Sequence, residues 1–379
     1  MQVLSPHRRI LPHVRRSPGA WVIVVAALST LTAGCKGTGA PAPSLAPGWN
    51  EIVPGGETAC ARGTEFAYFV RPGTVNRVII HFVGGGACWN DATCTDPETY
   101  FTDSVEPMRE TVRRNELNKG IYDHENPQNP FKDWYHVVIP YCTGDIHWGD
   151  NLVTYGQGDD QVTIHHKGAA NTRAALAWVY ANFSAPEHVL VTGCSAGSYG
   201  SAMWAPQVMN HYRSSRVTQF GDSSAGIITE EFFEKSFPSW RAEGAFPTFI
   251  PELDPARINV RQLDFPDVYA AVGKHFPAQR VSQYNTAFDE NQSFYFQAMG
   301  GGDVQEWSSR MFASIAEIKS RTPNFASFIA SGEQHCTLPS DHFYTVNVEG
   351  RLLTSWLRDL VDRASVESVT CKECTAPTP

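Results

Sequence analysis

The sequence predicts an α/β fold in which a mostly parallel central sheet is flanked by helices. Runs rich in β-branched and aromatic residues are continuous rather than alternating, which favours strands buried on both faces. Helix-compatible stretches lie between them, and this alternation predicts parallel strands joined by helices. The 379 residues, 42% of them hydrophobic, are enough to bury a sizeable core. The predicted strands are residues 66–70, 78–83, 137–140, 189–192, 217–220 and 325–330, and the clearest helices are 167–182, 198–212 and 352–363.

The N-terminal segment predicts export. Residues 1–34 carry four arginines and no acid, then an uncharged apolar stretch and small residues, which is the layout of a signal peptide. Cys35 follows in a lipobox-like pattern, so we expect it to be acylated and to anchor a bacterial envelope lipoprotein. An ordinary cleaved signal, giving a periplasmic or secreted protein, remains the alternative. The apolar stretch is too short to span a membrane, so the anchor is the only membrane contact expected.

The remainder of the chain divides into a tether, one domain and a tail. Residues 35–48 are rich in Gly, Ala, Pro and Ser and are typical of a flexible tether. A single catalytic domain is predicted over residues 49–365, followed by a polar tail over 366–379. Residues 228–285 interrupt the alternation with many Phe, Trp and Pro residues. They are interpreted either as a helical lid or as a static insertion, and the oligomeric state is left open.

Charge and cysteine content exclude several classes of partner. Without residues 1–34 the chain has 26 Lys and Arg against 39 Asp and Glu, a formal charge of −13, which argues against nucleic acid and mildly against polyanionic carbohydrate. Without Cys35, eight of the nine cysteines remain, and an even number in an exported chain suggests disulfides. Cys88 and Cys94 are close enough for a local bridge, and Cys60 and Cys142 each flank a predicted strand. Cys371 and Cys374 favour a small tail disulfide over a zinc site, and no metal is expected.

Ser195 is the predicted nucleophile. It lies in Gly193-Cys194-Ser195-Ala196-Gly197, after a predicted strand and before a predicted helix. This G-x-S-x-G pattern produces a sharp turn that exposes the serine, and the glycines avoid clashes with neighbouring chain. The sequence therefore predicts nucleophilic acyl chemistry at this turn.

A serine nucleophile requires a base oriented by a carboxylate. His335 follows the last strong strand, where the order Ser, acid, His of this fold requires the base, and His342 is its main competitor. His211 and His275 are the other downstream histidines. Asp222 directly follows a predicted strand, but it could equally cap the next helix or turn. The pattern alone leaves the acid open among Asp222, Asp254, Asp264, Asp267, Asp289, Glu290 and Asp303.

An oxyanion hole is predicted from two backbone segments. Ala196 supplies the N–H after the nucleophile, and Gly84-Gly85-Gly86 follows the strand over 78–83. A phosphate-binding loop is the alternative, but no Gly-Lys-Ser follows these glycines.

Four motifs in this order resemble the pectin acetylesterase and Notum family of α/β-hydrolase-like serine esterases. They are residues 84–90 with Cys94, residues 141–145, the Ser195 turn, and His335-Cys336. The resemblance implies that the acid is Asp289, in an Asp-x-x-Gln element with Gln292, and that Gly85, Gly86 and Ala196 donate to the oxyanion. It supports the Cys88–Cys94 and Cys60–Cys142 bridges and indicates a third between Cys194 and Cys336. The chain departs from the family at Ala87, where Trp is usual, and at Ser198, where Gly is usual.

We therefore predict a serine carboxylic-ester hydrolase that needs no cofactor and removes acetyl or other short acyl groups from a polysaccharide. An acyltransferase or a long-chain acyl esterase could use the same triad, and a non-catalytic glycan-binding surface protein is the alternative from another class. Trp89, Trp148 and Trp240 are candidate sugar or acyl platforms, with core packing as the simpler role.

Overall fold

The computed structural model describes residues 44–235, 237–362 and 365–374, which contain a nine-stranded sheet. The predicted signal peptide, Cys35 and residues 36–43 of the predicted tether lie outside the described residues. The order across the sheet is β1-β2-β4-β3-β7-β8-β9-β10-β13. Its strands are β1 (Asn50–Ile52), β2 (Tyr68–Arg71), β3 (Arg77–Phe82), β4 (Tyr135–Ile139), β7 (His188–Cys194), β8 (Arg216–Asp222), β9 (Val281–Thr286), β10 (Phe325–Ala330) and β13 (Val369–Thr370).

The sheet is antiparallel only at one edge. β1 pairs with β2 and β2 with β4 in antiparallel fashion, whereas every pairing from β4 to β13 is parallel. Two small antiparallel pairs lie outside the sheet: β5 (Asn151–Tyr155) with β6 (Val162–His166), and β11 (Asn347–Val348) with β12 (Arg351–Leu352). The predicted mostly parallel sheet is thus confirmed.

Twelve helices belong to the described part of the chain. They are α1 (Asp91–Cys94), α2 (Pro97–Tyr100), α3 (Glu106–Arg113), α4 (Gly168–Asn182), α5 (Ala196–His211), α6 (Glu230–Lys235), α7 (Phe237–Trp240), α8 (Phe265–His275), α9 (Glu290–Ala298), α10 (Val304–Arg321), α11 (His342–Thr345) and α12 (Leu353–Asp362). The three predicted helices correspond to α4, α5 and α12. None of the described helices is long and apolar enough to cross a membrane.

All six predicted strands are present, but β9 lies in a stretch where none was predicted. Its sequence, VSQYNT, is largely polar, yet all six residues are buried. Ser282 is satisfied internally: its Oγ donates to the Gln219 carbonyl at 2.7 Å, and its N donates to Gln219 Oε1 at 3.0 Å. A buried strand of this composition has no apolar run by which to detect it.

Two predicted boundaries change. The insertion predicted over residues 228–285 contains α6, α7, α8 and three 3₁₀ turns, but its last five residues belong to β9, so the insertion ends before Val281. The tail predicted from residue 366 includes β13, whose Val369 and Thr370 pair with Phe328 and Ile329 of β10. The sheet therefore extends beyond the predicted domain end at 365.

Four disulfides join the eight described cysteines. The bridges are Cys60–Cys142, Cys88–Cys94, Cys194–Cys336 and Cys371–Cys374. All four pairings match those considered from the sequence. The Cys194–Cys336 bridge joins the end of β7 to the loop after β10, and these two segments carry the predicted nucleophile and base.

Candidate active site

Ser195 lies at the tip of a sharp turn between β7 and α5. Its backbone angles, φ 55° and ψ −127°, are in a region that non-glycine residues seldom adopt. Its N–H donates to the Asp222 carbonyl at 2.9 Å, which holds the turn against β8. A Cβ at Gly193 would overlap the Gly197 carbonyl, and one at Gly197 would overlap the Phe82 carbonyl. Both glycines are therefore required by the close approach of the backbone.

Asp289 and His335 are hydrogen-bonded. Both carboxylate oxygens of Asp289 lie 2.9 Å from His335 Nδ1. Asp289 is fully buried at the N-terminus of α9, and Gln292 donates to it from its backbone N at 2.9 Å and from Nε2 at 3.0 Å. A carboxylate accepts only, so Nδ1 carries the proton and Nε2 of a neutral ring is left as an acceptor.

The acceptor nitrogen faces the same cleft as the serine. His335 Nε2 is buried and has no hydrogen-bond partner within the described part of the chain, and His335 and Ser195 both line this cleft. A base–nucleophile contact that is loose in the free enzyme can tighten on substrate binding. The arrangement has the parts of a Ser-His-Asp triad.

Asp222 is close to this site but bonds to backbone, not to the imidazole. Its Oδ2 accepts from the N–H groups of Thr337 and Leu338, each at 2.8 Å. Burial raises the pKa of Asp222 to about 6, and the two backbone N–H groups oppose that shift. Asp222 therefore fixes the loop that carries His335.

The other candidate acids and bases have different partners or places. Asp254 pairs with Arg257, Asp267 with Arg321, and Asp264 and Asp303 cap α8 and α10. Glu290 follows Asp289 as the first residue of α9. His342 is exposed at the start of α11, His211 stacks on Tyr180, and His275 packs near Phe249. Among these described candidates, Asp289 is the acid that hydrogen-bonds to the imidazole of His335.

The backbone N–H groups of Gly85, Gly86 and Ala196, near Ser195, have no acceptor among the described residues. Ala196 is the first residue of α5, where N–H groups have no partner within the helix. Gly86 has φ +75°, and a Cβ there would overlap the Tyr100 carbonyl. These donors border the cavities beside the serine and can stabilise a developing oxyanion.

Two cavities of different character meet at Ser195. The first, called here the apolar pocket, has a volume of about 70 Å³. The second, called here the polar cleft, has a volume of about 480 Å³. The apolar pocket is lined chiefly by Ala87, Trp89, Ile146, Tyr199, Ile227, Ile228, Phe232, Trp240, Met299 and Trp307. The polar cleft is lined by residues that include Glu98, Thr99, Tyr100, Thr102, Tyr122, Asn291 and His335.

The three tryptophans proposed as platforms are buried. Trp89 and Trp240, 5% and 1% exposed, form walls of the apolar pocket, with Phe232 of α6 packed edge-on against both. Trp148 stacks on Phe265 and donates to the Tyr199 carbonyl, and it is core. None of the three can stack on a sugar from solution. The pocket residues of α6, α9 and α10 were missed because hydrophobic side chains in a long insertion or helix carry no pattern that separates a pocket wall from core.

Two groups of Cys and His atoms lie close enough to suggest a metal site. They are Cys88 and Cys94 with His166, and Cys194 and Cys336 with His335. In both groups the two sulfurs are joined as a disulfide, so neither offers a thiolate ligand. The imidazole of His335 is moreover already held by Asp289.

Comparison with known proteins shows a family likeness over part of the chain. The pectinacetylesterase family profile matches residues 53–236, a segment that ends before Asp289 and His335. Pectin acetylesterase 11 of Arabidopsis thaliana is 28% identical over 153 residues, which is 39% of this chain and 37% of that protein. The chain thus spans little more than a third of the curated relative that it matches.

Solved structures extend the likeness over most of the fold. The Wnt deacylase Notum from Drosophila has a TM-score of 0.63 in one crystal form and 0.60 in another, at 16% and 15% identity. Each comparison covers 87% of this chain and 97% of the Notum chain. The chain thus has the α/β-hydrolase-like fold predicted from its sequence.

The two departures from the family pattern lie beside the nucleophile. Ala87 is part of the apolar pocket wall, where a small side chain leaves room. Ser198 is fully buried, and its hydroxyl forms a short hydrogen bond with that of Ser224. Ser198 therefore ties α5 to the segment after β8, which a glycine could not do.

Proposed function

We propose that this chain is an exported serine carboxylic-ester hydrolase that removes acetyl or a similarly short acyl group from a carbohydrate. The observation that carries the proposal is the meeting of an apolar pocket and a polar cleft at Ser195. An ester has an apolar acyl part and, in a glycan, a polar alcohol part, and these match the two cavities in character.

The apolar pocket supports an acyl group as its occupant. On the same kind of volume measure a single water needs about 10–15 Å³. A volume of about 70 Å³ therefore accepts at least an acetyl or propionyl chain. The preferred chain length is what the ester series below measures.

In the proposed mechanism His335 Nε2 accepts the Ser195 hydroxyl proton as Oγ attacks the ester carbonyl. The oxyanion accepts hydrogen bonds from the N–H groups of Gly85, Gly86 and Ala196. Collapse of this intermediate breaks the bond to the sugar oxygen, which takes the proton from His335 and leaves as the free hydroxyl. Water then attacks the acyl-enzyme with His335 as base, and the acid is released.

Asp289 has two roles in this mechanism. It keeps the Nδ1 proton in place, and its negative charge stabilises the imidazolium that forms in each half-reaction. Every group in the scheme belongs to the chain, so the proposal requires no cofactor.

Export and anchoring through Cys35 are part of the same proposal. Four disulfides among the described residues are typical of a protein that folds in an oxidising compartment. The negative charge of the chain supports a carbohydrate rather than a nucleic acid partner.

The test is hydrolysis of nitrophenyl esters from two to sixteen carbons, together with acetate release from acetylated polysaccharides, by the wild type and Ser195→Ala. We expect a maximum at two or three carbons and a loss of at least about 10³-fold in Ser195→Ala. Equal rates for the two proteins would refute the proposed nucleophile, and a maximum at long chains would refute the short acyl group. Addition of a competing alcohol separates hydrolysis from acyl transfer, because a transferase would form a new ester.

A further inference from the structure

A pair of aromatic side chains, the half-buried Tyr100 and the exposed Phe294, lies at the edge of the polar cleft, apart from the three buried tryptophans. Phe294 of α9 is 40% exposed, and it is the one aromatic side chain among the large exposed hydrophobic residues of the described chain. Its ring centroid lies 5.8 Å from that of Tyr100, with the two planes at 31°. Tyr100 itself lines the polar cleft together with Ser195 and His335.

The pair is held in place by contacts on both sides. The Tyr295 hydroxyl donates to the Tyr100 carbonyl at 2.6 Å, which joins α9 to the end of α2. Trp89 packs edge-on against the Tyr100 ring at 6.3 Å. A single exposed apolar side chain on a protein surface is ordinary. An exposed ring packed on a fixed tyrosine in the wall of a catalytic cleft is a preformed stacking surface.

The charges around the cleft favour a neutral ligand. Glu98 is the one acidic side chain among the lining residues that the structure describes, and these residues include no Lys or Arg. Glu290 and Glu333 are both exposed and lie one and two residues from Asp289 and His335 in the sequence. Desolvation and then the neighbouring Glu290 raise the pKa of the Glu333 carboxyl. Thr99, Thr102 and Asn291 supply uncharged polar groups. A uronate carboxylate would meet negative charge here and no cation to pair with.

We propose that Tyr100 and Phe294 form a stacking subsite for a neutral sugar residue of the acylated substrate, so that this enzyme prefers neutral acetylated glycans to acetylated polyuronates. The apolar face of a pyranose ring packs on the aromatic pair while its hydroxyl groups reach the polar groups of the cleft. The subsite rests on the proposed function, because it places the alcohol part of the ester whose acyl part enters the apolar pocket.

The kinetic test compares 4-nitrophenyl acetate, an acetylated xylo-oligosaccharide and an acetylated oligogalacturonate. In Phe294→Ala we expect kcat/KM for the xylo-oligosaccharide to fall roughly three- to tenfold more than kcat/KM for the nitrophenyl ester, mainly through KM. Phe294→Trp should restore kcat/KM for the xylo-oligosaccharide. The matched control is Leu152→Ala, which removes an exposed hydrophobic side chain of β5 outside the cleft lining. It should leave kcat/KM unchanged for both the xylo-oligosaccharide and the nitrophenyl ester.

The binding test is independent of turnover. Calorimetric titration of Ser195→Ala and of Ser195→Ala/Phe294→Ala with the same acetylated xylo-oligosaccharide should show weaker binding in the double variant. If the wild type fails to hydrolyse any ester while this difference persists, the proposed function is wrong and the sugar subsite stands. Equal binding by the two proteins, or better turnover of the oligogalacturonate than of the xylo-oligosaccharide by the wild type, would overturn the subsite.

Discussion

Two buried aspartates, Asp222 and Asp289, act on the same histidine-bearing loop through different atoms. Asp289 bonds to the imidazole Nδ1 of His335, whereas Asp222 bonds to the backbone N–H groups of Thr337 and Leu338. The first contact sets the tautomer of the ring, and the second sets the position of its backbone. This difference predicts losses of kcat of very different size for two isosteric substitutions.

Asp289→Asn should lower kcat for nitrophenyl acetate by about 10³- to 10⁴-fold, because an amide neither fixes the Nδ1 proton nor stabilises the imidazolium. Asp222→Asn should lower it by less than about tenfold, because an amide oxygen can still accept from the loop. Steady-state kinetics of the two variants under the same conditions checks both values. Comparable losses would contradict the assignment of Asp289 as the triad acid.

Asp222 also predicts a pH dependence of stability. Burial raises its pKa to about 6, above the value of about 3.9 expected in the unfolded chain, so the folded state binds the proton more tightly. Its contribution to the unfolding free energy is therefore full below about pH 4 and is lost as the pH rises through about 6. The unfolding free energy of Asp222→Asn minus that of the wild type should therefore be larger at pH 7 than at pH 4, by about 2–3 kcal/mol. Urea unfolding of both proteins at the two pH values measures this, and a pH-independent difference would rule it out.

Residue-level prediction from sequence succeeded where a motif constrains the backbone. Ser195 and the glycines around it follow from the turn they must make. The acid did not follow from spacing. Asp222 followed a predicted strand, whereas the strand before Asp289 was not predicted, and the family resemblance was needed to choose Asp289. Phe294 and Tyr100 had no signal at all, since nothing in a sequence separates one exposed aromatic side chain of a helix from another.

At the scale of elements, β9 and the insertion were the hardest to predict. β9 is buried yet polar, and it ends three residues before Asp289. Because the strand was not predicted, the position of the proposed triad acid at the end of a strand was not predicted either. The insertion supplies Phe232 to the apolar pocket from α6, a six-residue helix. Its pocket-facing role depends on packing against Trp240, in the next helix, and against Trp89, which is distant in sequence.

Phe232→Ala should widen the apolar pocket and shift the preferred acyl chain from acetyl towards hexanoyl. One added methylene that fits or fails to fit a pocket changes specificity by about 10-fold or more, so the hexanoate-to-acetate ratio of kcat/KM should rise at least about tenfold. Nitrophenyl ester kinetics checks this. Phe233→Ala is the matched control, because Phe233 packs on Phe237 and does not line the pocket. An unchanged ratio in Phe232→Ala would show that α6 does not limit the chain length.

At the scale of the whole molecule, the sheet order brings distant segments together at the carboxyl ends of β3, β7, β9 and β10. Continuous apolar strands made most of this sheet predictable. The order of its strands and the pairing of β13 were not, because they depend on contacts between segments far apart in the chain. The Cys194–Cys336 bridge spans the largest of these separations among the described disulfides, 142 residues.

Replacing both Cys194 and Cys336 by Ala should lower the unfolding free energy by about 2–5 kcal/mol, since a long closed loop restricts the unfolded chain strongly. It should also lower kcat, because the bridge joins the neighbours of the nucleophile and the base. The control is Cys371→Ser/Cys374→Ser, whose bridge closes a separation of only three residues. Chemical denaturation and ester kinetics of the two double variants provide the comparison. A larger loss in the tail variant would contradict this role of the bridge.

Asp222 has one more consequence for the protein in motion. Its carbonyl holds the N–H of Ser195 while its carboxylate holds the loop after His335. We therefore expect a displacement of the end of β8 to move Ser195 and the loop that carries His335 in the same direction. Shared motion of this kind would preserve the spacing of the proposed nucleophile and base while the surrounding framework moves.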